Sequence, residues 1–221
     1  MIFYDYWRSS SAWRVRIALN IKQISVERRA VNLAPPGEAG AQHTTEFRAL
    51  NPMSQVPVLV IDGPPGPPRA LTQSMAILEY LEERFPSPPL LPADPWPRAR
   101  ARQLAEMVNA GIQPMQNLSL LRRLHESGLA QPKELARHHI ARGLGAIEAI
   151  AGETAGRFLV GDALTIADLY LIPQLYSARR FDVDLSAFPR LLQTEAACTA
   201  LPAFTEAHPD VQADAPAATK S

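Results

Sequence analysis

Three consecutive hydroxyl side chains, Ser9, Ser10 and Ser11, stand in the stretch "RSSSAWRVRIALN" between Arg8 and a segment of helical apolar spacing. A helix N-terminus leaves backbone N–H groups without partners and carries partial positive charge, and serine is a preferred cap there. One serine meets that need. A helix start with two further hydroxyls suits an anion or a thiolate, while one cap beside two solvated serines accounts for the same residues. A second feature is Pro57 in "QVPVL". Proline has no N–H to donate, so placed just before a strand it reads as a fixed bend that exposes the backbone of Val56 to an extended ligand. The third is "TQS", where Gln73 and Ser74 open a helix whose first N–H groups can hold a carboxylate.

The elements that position these residues follow from apolar period. The first third alternates: strand Ile2 to Tyr6, helix Ser10 to Lys22, strand Val26 to Asn32, a loop with Pro35, Pro36 and Gly37, and a short helix in "TTEFRAL". This βαβα order implies a parallel strand pair with helix packed on it. Val15, Ala18, Leu19 and Lys22 form one helical stripe, which turns Arg14 and Arg16 elsewhere; a solvated or salt-bridged face is expected for Arg16, and Arg14 is left open. Next come a strand from Val58 to Asp62, the turn "GPPGPP", a returning strand in "RAL", and the amphipathic helix "TQSMAILEYLEERF". That helix carries Ile77, Leu78 and Leu81 on one face and Glu79, Glu82 and Glu83 on another.

These elements make an α/β unit over residues 1–86, and the proline-rich stretch 87–97 is a semi-rigid connector. Beyond it strand-like alternation disappears. Helical spacing runs from Arg98 to about Arg123, from Lys133 to about Ile150 and from Thr165 to about Arg179, so 98–208 is expected to be all-helical. Thr165 and Asp168 have capping-box spacing before an apolar, buried helix. The Ala/Pro/Asp-rich tail 209–221 is expected to be disordered.

Composition removes several function classes. The 221 residues are 47% hydrophobic and 20% charged, and 22 Lys and Arg balance 22 Asp and Glu. A neutral chain without basic runs interleaved with aromatics does not read as a nucleic-acid or membrane binder. The opening residues lack a signal-peptide build and no segment is apolar for membrane-span length, so a cytoplasmic protein is expected. The lone Cys198 allows no internal disulfide, and any sulfur chemistry must use a borrowed thiol. Adjacent His138 and His139 cannot share a helix face as ligands, so no metal is expected. "GLGAIE" lacks the third glycine of a dinucleotide loop, and no nucleophile elbow or P-loop occurs.

The α/β unit thus offers two helix N-termini and one exposed strand edge, sites for a thiol, a carboxylate and a peptide backbone, which is the outline of glutathione. The unit resembles the thioredoxin-like domain of glutathione transferases. With "NPMSQVPVL", "TQSMAILEYLEE", "GIQPMQNLSLL", "VGDALTIADLYLIPQ" and "RFDVDL" added to the serine run, nearly the whole chain resembles their zeta class, the maleylacetoacetate isomerase family. The resemblance implies a thioredoxin-like domain followed by an all-α domain, a homodimer, and cis-trans isomerisation of a maleyl keto acid with glutathione as a cofactor returned unchanged.

Residue by residue, the resemblance places the family's SSC-type motif on Ser9, Ser10 and Ser11, with Ser10 hydrogen-bonding the glutathione sulfur. Many eukaryotic relatives have cysteine where this chain has Ser11, which removes a protein thiol from the site. Glutathione contacts are implied at Gln42, Val56, Pro57, Gln73 and Ser74, and in the helical domain at Gln113, Asn117 and Ser119. Arg8 and Arg180 are expected to orient substrate carboxylates, because guanidinium pairs them bidentately. Maleylpyruvate isomerases share the "RFxVDL" pattern and Arg8 but carry His and Arg in place of Gln113 and Ser119, so the resemblance favours maleylacetoacetate. A conjugating or dehalogenating transferase and a non-catalytic glutathione-binding protein are the alternatives.

Overall fold

The computed structural model describes residues 1–33, 40–62, 66–128 and 131–217. The expected loop at Pro35, Pro36 and Gly37, the first half of "GPPGPP" and the last four residues lie outside the described residues. The chain divides into two compact units, one of Met1–Pro88 with the chain from Pro202 onward, the other Pro89–Leu201.

In the first unit, strands β1 (Ile2–Asp5), β2 (Glu27–Ala30), β3 (Val58–Ile61) and β4 (Arg69–Thr72) form one sheet of order β2-β1-β3-β4. β1 and β2 are parallel, as the βαβ order requires, and β3 and β4 are antiparallel additions. Side chains alternate across the sheet, so Val58 and Val60 fall in the cluster containing Phe47 of α2 (Thr45–Leu50), while Phe3 and Leu59 are fully buried on the opposite face. This is the thioredoxin-like arrangement, completed by helices α1 (Ser10–Ile21) and α3 (Ser74–Arg84) in mutual contact.

Helix α1 departs from the one-sided pattern. Every residue from Ala12 to Leu19 is buried, including Arg14 and Arg16, so Arg16 does not lie on a solvated face. The physical reason is the C-terminal chain: α9 (Pro202–Thr205) packs on α1 and covers the side left to solvent in the periodicity argument. Arg16 then pairs with buried Asp5 at 2.8 Å. Glu82 likewise is not on an exposed acidic face but accepts from the buried amine of Lys22 at 2.7 Å. The expected disordered tail is also corrected, since the described residues 209–217 include a short 3-10 turn at Pro209–Val211 and side-chain bonds to Trp7 in the turn after β1 and to Arg28 of β2.

The second unit is helical. It contains α4 (Pro95–Glu106), α5 (Leu118–Ser127), α6 (Pro132–Thr154), α7 (Ile166–Arg180) and α8 (Pro189–Thr199). The single helix expected over 98–123 is interrupted: a π-type turn at Met107–Ile112 and a 3-10 turn at Gln113–Gln116 separate α4 from α5. Pro114, without an N–H, cannot continue an α-helical ladder. Helix α4 also starts at Pro95, inside the expected linker, with Asp94 as its cap. Helix α7 is buried from Ile166 to Leu175 and opens on the expected capping box: Asp168 Oδ2 accepts from Thr165 N at 2.8 Å and from Thr165 Oγ1 at 3.1 Å. Among the described residues no helix is long and apolar enough to cross a membrane.

Candidate active site

The registers Tyr4↔Val58 and Val58↔Thr72 bring three chain positions to one end of the sheet. The turn after β1 carries Arg8 and the serines, the residues before β3 include Val56 and Pro57, and the exit from β4 carries Gln73 and Ser74. Asp5 also pairs with Ala30, so the chain leaving β2 starts at this end. It continues to Gly40 and to the 3-10 turn Ala41–His43, where Ala41 N donates to Asn32 O at 2.9 Å. The Arg8, Ser9–Ser11, Gln42, Val56, Pro57, Gln73 and Ser74 set therefore belongs to one unit and its strand ends.

Ser9 is the N-cap of α1, its Oγ accepting from Ala12 N at 3.2 Å. That leaves Ser10 and Ser11 as the first two helical residues, both half-buried, at the positive end of the helix. The Arg8 guanidinium lies 5.3 Å from the ring centre of Trp7. Val56 is half-buried beside a cis bond to buried Pro57. The preceding loop is organised by Asn51, a buried residue the sequence did not mark: its amide donates to Gln55 O at 2.7 Å and accepts from Met53 N at 3.1 Å.

Gln73 caps α3 at φ +70°, a conformation side-chain-bearing residues rarely adopt, and Ser74 is buried as the first helical residue. Arg14, fully buried, donates from Nη1 to Ser74 Oγ at 3.1 Å. This contact ties the first turns of α1 and α3 together and sets a guanidinium charge beside the α3 N-terminus. Arg14, open in the sequence reading, thus joins the two helix starts. Gln42 Oε1 is buried with no hydrogen-bond partner among the described residues, and it folds back until a Cβ at Gly40 would fall 2.1 Å away. A buried amide oxygen without a donor is costly unless a ligand supplies one.

In the second unit, Gln113 opens the 3-10 turn, and Asn117 caps α5 by accepting from Ser119 N at 3.0 Å and Ser119 Oγ at 2.9 Å. Two glutamines not singled out in the sequence hold this segment: Gln116 and Gln174 of α7 exchange buried amide bonds of 2.9 and 3.1 Å. Arg180 is exposed at the end of α7. Asp182 receives Lys133 at 2.6 Å, and Asp184 receives Ser186 N at 2.9 Å. Cys198 is buried, and burial pushes its thiol far up, so it has no nucleophilic character.

Residues 8–84 match the family model of the glutathione S-transferase N-terminal domain, and residues 122–211 that of the C-terminal domain. Maleylacetoacetate isomerase of Mus musculus is 45% identical over 98% of this chain and 95% of its own length. The crystal structure of maleylacetoacetate isomerase from Anaeromyxobacter dehalogenans, with glutathione bound in its active site, is 54% identical at a TM-score of 0.88, covering 97% of each chain. A holo maleylpyruvate isomerase described as a bacterial zeta-class glutathione S-transferase is 40% identical at a TM-score of 0.89, covering 98% of this chain and all of its own. The chain belongs to the glutathione transferase family, in the zeta class of maleylacetoacetate and maleylpyruvate isomerases.

Proposed function

We propose that this protein is a cytoplasmic, homodimeric, glutathione-dependent cis-trans isomerase that converts maleylacetoacetate to fumarylacetoacetate. The observation that carries the reading is the convergence, at one end of a thioredoxin-like sheet, of two serine-bearing helix N-termini joined by Arg14 with the Val56 edge between them. These groups fit glutathione. The α1 start takes the thiol, the Val56 backbone takes the peptide, and the α3 start with Gln73 and Ser74 takes a carboxylate. The buried Gln42 Oε1 is an acceptor for one of the ligand's N–H groups. Gln113, Asn117 and Ser119 are further contacts on the family pattern.

When bound, glutathione supplies a thiolate that adds reversibly to an alkene carbon conjugated with a ketone, freeing the former double bond to rotate. Ser10 donates to the sulfur and favours its ionised form, because a free thiol of pKa about 8.5 is mostly protonated at neutral pH. Ser9 is occupied in capping the helix, and Ser11 extends the donor surface. Arg8 and Arg180 hold the substrate's carboxylates, which a neutral protein must attract locally.

The reading is tested by following maleylacetoacetate by proton NMR with purified protein, with and without glutathione. Fumarylacetoacetate forming only when both are present is expected. No product, or product at the same rate without glutathione, would contradict the proposal. Maleylpyruvate in a parallel reaction identifies the preferred keto acid.

A further inference from the structure

The main chain just before the serines is gripped from outside the first eighty-eight residues. Residues Tyr6 to Ser9 form a tight turn closed by Ser9 N donating to Tyr6 O at 3.0 Å, and Trp7 and Arg8 are its corner. Trp7 N donates to Asp214 Oδ2 at 2.8 Å, across 207 positions of sequence. The carbonyl of Trp7 accepts from Arg16 Nη2 at 2.8 Å, and Arg16 Nε donates to Ala207 O at 3.0 Å. Both main-chain polar groups of Trp7 are thereby fixed by the C-terminal chain, one directly and one through Arg16. The next residues along are Arg8 and the Ser9 cap.

We propose that the chain from Ala207 to Asp214 is a clamp on this turn, and that Asp214 is a positioning residue for the Ser10 hydroxyl and the α1 N-terminus toward the glutathione sulfur. The proposal rests on the glutathione reading above. Its physical basis is geometric: a charge-assisted bond to a part-buried backbone N–H holds a turn whose free form samples other φ/ψ values, and small misplacements of a donor cost large factors. The clamp is itself braced away from the turn, where Gln212 Nε2 donates to His208 O at 2.7 Å and to Glu206 O at 2.9 Å. Asn20, donating to Ala203 O at 3.1 Å, anchors the same C-terminal chain to α1 without touching Trp7, and so supplies a structural control.

The test uses the full chain and two readouts that do not depend on turnover: glutathione affinity by calorimetry, and the pH titration of the bound thiol by its ultraviolet thiolate band. Asp214→Ala is expected to weaken glutathione by about tenfold and to move the thiol titration to higher pH. Asp214→Asn, which keeps an acceptor oxygen, restores most of both. Asn20→Ala lowers Tm but titrates as wild type. If Asp214→Ala does not fold, Arg16→Lys carries the same expectation, since it keeps a charge near Asp5 but loses the fork that reaches Trp7 O. A wild-type titration in Asp214→Ala, or an equal shift in Asn20→Ala, overturns the clamp and leaves the functional reading standing. A wild-type protein that binds no glutathione overturns both.

Discussion

At residue scale Ser9 has a structural task, the α1 cap, and the proposed chemical task falls to Ser10. Ser10→Ala removes the proposed donor to sulfur and leaves the Ser9 cap in place. It is therefore expected to lower kcat/KM and raise the pH at which bound glutathione ionises, with little change in Tm; an unchanged pH–rate profile would move the role to Ser11. Ser11→Cys should be tolerated. Arg180→Ala is expected to leave glutathione affinity nearly intact and to cost roughly 1.5–3 kcal/mol in kcat/KM, the value of a charge-assisted hydrogen bond. Comparing a carboxylate substrate with an uncharged enone, beside Tm, checks it: equal losses on both would remove Arg180 from substrate binding. The serines were legible because a helix start announces itself by local pattern. Arg14 and Asn51 were not. Arg14 meets Ser74 sixty positions away, and Asn51 acts through a loop geometry that no periodicity encodes.

At element scale the buried helix α7 governs stability through two polar groups. Asp168 accepts from Leu159 N at 2.9 Å as well as from Thr165, yet burial pushes its carboxyl up to about 6. The folded state thus binds a proton more tightly than the unfolded chain. The resulting stability is present in full below the unfolded carboxyl value, near pH 3.8, and is lost as pH rises to about 6. Chemical denaturation of wild type against Asp168→Asn should show wild type losing stability relative to the variant between those values and a constant difference above. A flat difference throughout would contradict this assignment. The Gln116–Gln174 pair is the second group. Gln116→Leu strands the Gln174 amide and should cost about 1–3 kcal/mol, whereas the double Leu variant should cost less than the sum of the singles. The capping box was legible as a local spacing. The amide pair was not, because its members are fifty-eight positions apart and glutamine carries no apolar signal. The break between α4 and α5 had a legible sign in Pro114, outweighed in the sequence reading by apolar spacing on either side.

At the scale of the whole molecule, the βαβ order and the loss of alternation after residue 86 sufficed to expect an α/β unit and a helical one. The closing segment, rich in Ala, Pro and Asp, has the composition of a chain unable to bury apolar surface, yet residues 209–217 are ordered into the fold. It is held instead by polar reach: Arg16 to Ala207, Trp7 to Asp214, and Arg28 to Gln212. Asp5, almost fully buried between Arg16 and Arg28, is the centre of that network. Asp5→Ala should destabilise by about 3–5 kcal/mol, as removal of one member of a buried ion pair does, seen as a lower denaturant midpoint. In the proposed isomerisation glutathione is used without being consumed. The most direct measurement counts turnovers per glutathione: purified protein, excess maleylacetoacetate and a small amount of glutathione, with fumaryl product and free thiol assayed together. Many product equivalents per glutathione and an undiminished thiol titre are expected. Thiol loss matching substrate loss would contradict the proposed isomerisation and make the protein a conjugating transferase.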